Sequence, residues 1–387
     1  MRPPRWLWLL LAFANTRGAS ALFRVQGRGD PAIKAGNQRG TDPAYRIAIL
    51  TAGTLVRYFP DYVARNLIAP LVLEGHTIDY YLSLNTEGFG AWRGYARTFR
   101  SDPIVEAHRD NLTFVAEWLN ISLSRAGAHV RELALHEQVD VRTPGAINFA
   151  ARASGFHRGM GVRTAFARSN LLKLLWQFEW LWGSVQRQEA VSGRYDFVMT
   201  NRDDLLWVQP FSLKRVLQAP DRAEFAEDPV GALPVHRLPG PARGYHMRCL
   251  ESEGSTYDAQ KEEGLTEYVL LLERGAAAPF LSLFSRLTEN PQYWHNGDLE
   301  RLLAAVAEER SVRFAALPAA LVPAQRAGRV QWGNATVTCL HKACDSATDS
   351  VDLLRPTEEF PICEPQYWQF KTYYHLPIGG FPRDRVL

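Results

Sequence analysis

The sequence predicts an α/β fold in which a mostly parallel central sheet is flanked by helices. Residues 47–50 form a continuous apolar run, which is typical of a strand buried on both faces. A helical pattern from Pro60 to Leu73 and a second strand at residues 78–84 complete a βαβ unit. A long helix followed by a strand at residues 195–200 repeats this alternation of elements.

The other segments extend the same pattern. Apolar residues three and four positions apart predict further helices: residues 104–126, a helix that is capped by Ser169 and runs to Glu189, residues 265–272, and a helix that begins at Asp298. Short apolar runs predict further strands at residues 129–135, 312–317 and 321–322. Residues 136–165 and 208–260 are expected to be irregular.

The N-terminus has the pattern of a secretory signal peptide. Two arginines precede an apolar run at residues 6–14, and Ala19-Ser20-Ala21 offers a cleavage site. A membrane-spanning helix needs about 20 apolar residues, so the run is too short for a stable membrane span. We expect cleavage after residue 21 and a location in the Golgi or ER lumen or outside the cell. The alternatives are an uncleaved anchor, a chance apolar N-terminus and a two-step organelle-targeting leader that begins near Phe23.

The domain organisation follows from composition. Residues 22–44 are polar and Gly-rich and predict a flexible linker, residues 45–329 a single domain, and residues 330–387 a cysteine-containing extension packed on that domain. An even number of cysteines in an oxidising compartment predicts up to two disulfides: Cys249, Cys339, Cys344 and Cys363. Glycosylation sequons begin at Asn111, Asn120 and Asn334.

Charge and missing motifs exclude several classes of function. The 44 basic and 41 acidic residues give a formal net charge of +3, which offers no electrostatic reason to bind nucleic acid or an anionic membrane. The sequence contains no G-x-S-x-G, H-E-x-x-H or Walker A motif and no G-x-G-x-x-G after a strand. These absences argue against serine hydrolases of that type, zinc proteases, P-loop enzymes and dinucleotide-binding enzymes.

A polar cluster follows the strand at residues 195–200. Asn201, Arg202, Asp203 and Asp204 lie between two apolar runs, at the carboxyl end of a strand, where open α/β sheets bind ligands. Carboxylates in this position can hold a divalent cation that bridges a diphosphate, and a guanidinium can hold the phosphate directly. A turn with solvated charges explains the same residues equally well.

The segment from Tyr195-Asp196-Phe197-Val198 to Arg202-Asp203-Asp204-Leu205 resembles the Y-D-x-V-x-x-x-R-x-D-L signature of a group of glycosyltransferase-like proteins with the GT-A fold, which is Rossmann-like. The resemblance implies a nucleotide-sugar donor and a glycan or glycoprotein acceptor. Asp204 matches the aspartate of the signature and Arg202 its arginine, while Asp203 stands where proline is common in the group. We expect Asp203 and Asp204 to hold Mn²⁺ or Mg²⁺ or the donor, and Arg202 to hold the phosphate. The strict D-x-D of metal-dependent transferases is absent, which leaves the metal open.

Weaker candidates complete the expected site. Four residues are predicted to contact the donor: Thr51, Arg57, Lys173 and Asn201. Asp298 is the candidate base if the transfer inverts the configuration of the sugar. Each has a plainer explanation as a loop, helix-edge or helix-start residue. Two other classes of function remain open: a secreted binding protein that keeps the fold without turnover, and a different enzyme with a phosphate-bearing donor, such as a sulfotransferase.

Overall fold

A computed structural model of the chain describes residues 22–24, 43–86, 101–137, 139, 141–153, 164–218, 235, 238–247, 265, 268–296, 299–317, 321–332 and 335–340. The predicted signal peptide, Asp298, and Cys249, Cys344 and Cys363 lie outside these residues. The predicted disulfides therefore also lie outside the described part of the chain.

The strands of the described residues form one large sheet and one small sheet. They are β1 (Leu22–Arg24), β2 (Arg46–Thr54), β3 (Thr77–Asn85), β4 (His129–His136), β5 (Phe197–Arg202), β6 (Leu205–Trp207), β7 (Gly244–Met247), β8 (Val269–Glu273), β9 (Phe314–Leu317), β10 (Ala324–Trp332) and β11 (Ala335–Leu340). The large sheet has the order β1-β4-β3-β2-β5-β8-β7-β9, and the small one the order β11-β10-β6.

The large sheet is mostly parallel, which confirms the predicted fold class. β2 pairs in parallel with β3 and β5, and β3 pairs in parallel with β4. β8 is antiparallel to both β5 and β7, so β7 and its parallel neighbour β9 run in the same direction as β5. These six strands therefore end at one edge of the sheet, called here the carboxyl edge.

Helices cover both faces of this sheet. They are α1 (the consecutive segments Pro60–Tyr62, Val63–Ile68 and Ala69–Leu73), α2 (Pro103–Ala107), α3 (Leu112–Arg125), α4 (Pro144–Arg152), α5 (Thr164–Ser192), α6 (Leu213–Gln218), α7 (Arg274–Leu281), α8 (Leu283–Glu289) and α9 (Leu299–Glu309). Short 3₁₀ helices span Leu55–Arg57 and Pro291–His295. No helix in the described ranges combines the length and the apolar character needed to cross a bilayer.

The strands are apolar on both faces because each face has its own core. In β2, Ala48 and Leu50 belong to the core that includes α5, while Ile47 and Ile49 belong to the core that includes α1 and α3. Successive side chains of a strand point to opposite faces, so a continuous apolar run supplies both cores. Gly193, with φ of +86°, follows α5 directly, as the sequence indicated.

The predicted helix over residues 265–272 is wrong, because β8 occupies its second half. Val269 and Leu271 enter one core, while Leu270 and Leu272 enter the other. A strand between two helical layers needs apolar residues at every position, and the run of four provides them.

The boundaries of two predicted helices also differ. Asn111 accepts a hydrogen bond from the backbone N–H of Phe114 and begins α3, so the single helix expected over residues 104–126 is divided into α2 and α3. α5 begins at Thr164, which places Ser169 inside the helix rather than at its cap.

Four segments expected to be irregular or strand-like differ as well. Residues 208–260, predicted to be irregular, contain α6 and β7. Thr143 caps α4 within the segment 136–165 that was predicted to be irregular, accepting a hydrogen bond from the N–H of Ala146. Residues 321–322 form a turn, and the strand begins at Ala324. β1 lies inside the expected linker and pairs with β4. β10 continues across the predicted domain boundary at residue 329.

Candidate functional site

The candidate site lies where β2 and β5 end at the carboxyl edge. The chain passes from β2 to β3 and β4 on one side of β2, and β5 then pairs on the other side of β2. The strand order therefore reverses between β2 and β5, and open α/β sheets bind ligands in the crevice at such a point. The residues that follow the two strands, Leu55–Arg57 and the turn Asp203–Asp204, meet there.

Asp203 is completely buried and is surrounded by donors. Its Oδ2 accepts hydrogen bonds from the Thr54 N–H at 2.7 Å, the Thr54 hydroxyl at 2.8 Å and the Arg57 Nε at 2.8 Å. Its Oδ1 accepts a hydrogen bond from the Arg57 Nη2 at 2.8 Å. Gly53 makes this possible: a Cβ at residue 53 would lie 2.1 Å from the Asp203 Cγ, and φ of Gly53 is +146°. The carboxylate therefore fixes the loop after β2.

Asp204 joins the same group from the next position in the turn. Its carboxylate accepts hydrogen bonds from Arg202 Nε and Nη2, both at 3.1 Å, and from Arg57 Nη1 at 3.2 Å. The side chain of Asp204 is fully buried, while those of Arg57 and Arg202 are 11% and 13% exposed. Arg202 also lies over the ring of Tyr268, 5.2 Å from its centroid. Arg57, Arg202, Asp203 and Asp204 thus form a compact unit, called here the arginine–aspartate cluster.

Two predicted donor-contacting residues lie beneath this cluster. Thr51 and Asn201 are both fully buried. The Asn201 amide donates to the Thr51 hydroxyl at 3.1 Å and accepts from the Trp207 indole N–H at 3.0 Å. The Thr51 hydroxyl also bonds to the Tyr80 hydroxyl at 2.5 Å, and burial raises the pKa of Tyr80 to about 12. These side chains join β2, β3, β5 and β6 below the crevice.

Lys173 lies apart from the cluster, on α5. One helix turn later, Gln177 donates hydrogen bonds to the carbonyls of Gly53 and Ser83, at 3.2 Å each, and so ties α5 to the carboxyl edge. Lys173 instead lines a separate cavity beyond β4. Asp298, the candidate base, lies outside the described residues.

The predicted Mn²⁺ or Mg²⁺ does not fit the aspartates as they are arranged. Both oxygens of Asp203 already accept hydrogen bonds, and Arg57 bonds to both carboxylates. A hard cation requires several oxygen ligands without competing cations. Among the residues that the structure describes, no group of three or more His, Cys, Asp or Glu side chains could hold a metal ion.

His136 lies at the carboxyl end of β4, two strands from β2, and the sequence analysis did not single it out. Its Nε2 lies 2.9 Å from the Ser83 hydroxyl, and its ring meets the rings of Trp176 and Trp180 edge to face. Burial lowers the pKa of His136 to about 4, so the ring is neutral at pH 7. The only indication in the sequence was the position of His136, because this residue follows the last apolar residue of the strand.

We expect this histidine to make the protein sensitive to acid. Histidine in an unfolded chain has a pKa of about 6.5, so below that value the unfolded state binds a proton that folded His136 does not. The stabilisation is complete above pH 6.5 and is lost as the pH falls, by up to about 3 kcal/mol near pH 4. Urea unfolding of the protein and of His136→Gln at pH 7 and pH 4.5 measures this. Equal pH dependence in the two proteins would contradict the assignment.

Comparison with known proteins finds a weak structural likeness. The chain is similar to the apo form of mouse xyloside xylosyltransferase 1, with a TM-score of 0.31 and 12% sequence identity, over 71% of this chain and 86% of that one. No protein-family model matches the chain, and no curated protein matches it. A likeness at this level carries no argument about activity, so the function rests on the geometry of the arginine–aspartate cluster.

Proposed function

We propose that the protein is a glycosyltransferase of the secretory pathway that transfers a sugar from a nucleotide-sugar donor to a glycan or protein acceptor. The observation that carries this proposal is the placement of Arg57 and Arg202 at the reversal of strand order, each fixed by buried carboxylates. The resemblance of residues 195–205 to the signature of glycosyltransferase-like proteins supports a nucleotide-sugar as the donor. The signal-peptide pattern at the N-terminus supports the secretory location.

In this proposal the two arginines receive the donor diphosphate. Guanidinium groups bind phosphate oxygens through paired N–H donors, and each side chain keeps part of its surface accessible. When the bond between the sugar and the diphosphate breaks, negative charge grows on the departing nucleoside diphosphate. Cations that are already oriented stabilise this charge without further reorganisation. Asp203 and Asp204 supply that orientation.

A second candidate is a binding module that recognises a nucleotide without turnover. Both carboxylates of the cluster hold arginines, which leaves neither of them placed to accept a proton from an acceptor hydroxyl. Under this alternative the cluster binds a diphosphate in the same way, and no sugar leaves the donor.

Nucleotide titration tests the proposal. We expect UDP, GDP or another nucleoside diphosphate to bind in calorimetry in the presence of a chelator, and Arg202→Gln to weaken binding at least about tenfold, because a charged hydrogen bond contributes about 1.5–3 kcal/mol. Arg202→Lys should retain part of the affinity. Arg109→Gln is the matched control, since the Arg109 side chain is 69% exposed and pairs with Glu106 on the surface.

The outcomes separate the candidates. Failure of every nucleoside diphosphate to bind would reject both the transferase and the binding module. Binding only with manganese would reject the arginine assignment. If nucleotides bind, release of free nucleoside diphosphate from nucleotide-sugars distinguishes the transferase from the binding module. Stabilisation by a sulfonucleotide alone would support the sulfotransferase class.

A further inference from the structure

A cavity of about 160 Å³ lies beyond the carboxyl end of β4, between α4 and α5. The cavity is partly open to solvent, and six of its nine lining residues are aliphatic, among them Val141, Ile147, Ala150 and Leu172. For comparison, an enclosed apolar cavity of about 150 Å³ accommodates a benzene ring. The space therefore suits a ligand whose apolar part has the size of one six-membered ring.

A cationic side chain also lines the cavity. Lys173 lines it and is half-buried, and its ammonium makes no hydrogen bond or ion pair with any other residue that the structure describes. Arg142 adds a second positive charge to the lining and Ser169 a hydroxyl. A partly desolvated ammonium in an aliphatic cavity is stabilised by an anion more strongly than a fully solvated one would be.

The walls are held in place independently of any ligand. Gly145 packs so closely on α8 that a Cβ there would lie 2.3 Å from the Thr288 carbonyl oxygen. Phe149 is fully buried and meets Trp294 edge to face, 5.9 Å between ring centroids. The cap at Thr143 fixes the start of α4. Such preformed walls are typical of small-molecule sites.

The cavity is distinct from the arginine–aspartate cluster. β4 lies two strands from β2 in the sheet, which corresponds to about 10 Å at the usual strand spacing. None of the four residues of the cluster lines the cavity. The inference below therefore does not depend on the proposed transferase activity.

We propose that this cavity binds a carboxylate-bearing small molecule whose apolar part is about one six-membered ring in size. Lys173 bonds to the carboxylate, the positive charge of Arg142 attracts the anion, and the aliphatic lining residues contact the ring. A phosphate is more strongly hydrated and more highly charged, and it calls for more donors than two cations and one hydroxyl. The carboxylate is therefore the better match.

Benzoate is the probe, used with the full chain. We expect benzoate to bind in ligand-observed NMR and calorimetry, and benzyl alcohol, its neutral analogue, to bind at least about tenfold more weakly. Lys173→Met should weaken benzoate binding by about tenfold. Lys214→Met is the control, because Lys214 is exposed on α6.

Further variants keep the test decisive. Ala150→Leu narrows the cavity without changing its charge and should also reduce benzoate affinity, so the proposal stays testable if Lys173→Met folds poorly. Absence of benzoate binding, or equal affinity of the protein and Lys173→Met, would overturn the site. Tighter binding of phenyl phosphate than of benzoate would overturn the carboxylate class.

Discussion

Replacing Asp203 with asparagine is expected to destabilise the protein by about 3 to 5 kcal/mol, because removing one partner of a buried ion pair leaves the other charge uncompensated. The carboxylate is fully buried and accepts from Thr54 and from two nitrogens of Arg57. An asparagine of the same size would direct an NH₂ group at one of these donors. Urea unfolding at pH 7 measures the loss.

The same variant should also weaken nucleotide binding. Without Asp203, the Arg57 side chain loses the interaction that orients its Nε and Nη2, so the folded fraction should bind a nucleoside diphosphate at least about tenfold more weakly. Asp110→Asn is the matched control, since Asp110 is exposed at a surface turn. Unchanged stability of Asp203→Asn would show that the buried cluster does not form in solution.

A second aspartate, Asp79, should have a comparable effect on stability and none on binding. Its Oδ2 accepts from Arg46 Nη2 and from the Tyr195 hydroxyl, both at 2.6 Å, and its Oδ1 accepts from Arg131 Nε at 2.8 Å. Asp79 is fully buried. We expect Asp79→Asn to destabilise the protein by about 3 kcal/mol, since Arg46 and Arg131 then lack a counter-charge.

Position explains why binding should survive in Asp79→Asn. Asp79 lies near the amino end of β3, about 20 Å along the strand from the residues at its carboxyl end. The folded fraction should therefore bind nucleotide with the affinity of the unmodified protein. Loss of both stability and intrinsic affinity in this variant would show that the two edges of the sheet are coupled. Unchanged stability would contradict the buried network.

The sequence predicted the strands of the sheet correctly where the apolar pattern is local and both faces of the strand are buried. The strand at residues 47–50 is apolar throughout and that at residues 78–84 largely so, and both carry their own signal because every residue is buried. β8 was missed because four apolar residues, preceded by Leu265 and Tyr268, also fit a helical spacing. Periodicity alone cannot distinguish a short buried strand from a helix segment.

The structure places the polar cluster at the end of a central strand, where the sequence predicted it, whereas the contacts within the cluster were not foreseeable. A polar cluster after a central strand marks the carboxyl edge, and the structure places Asp203 and Asp204 there. Arg57 reaches them only because β2 and β5 pair in a register that aligns Ala52 with Arg202. This register depends on residues far apart in the chain, so sequence patterns could not show that the carboxylates hold arginines.

The small sheet has a consequence for the order in which the protein assembles. β6 directly follows the turn Asp203–Asp204 and pairs with β10, so that Leu205 lies opposite Arg326. During synthesis the helices and parallel strands of the first half can associate before β10 has left the ribosome, because distant pairings form more slowly than local ones. The pairing of β6 with β10 therefore holds the turn Asp203–Asp204 only late in synthesis. We infer that the crevice becomes able to bind a ligand in one of the last steps of folding.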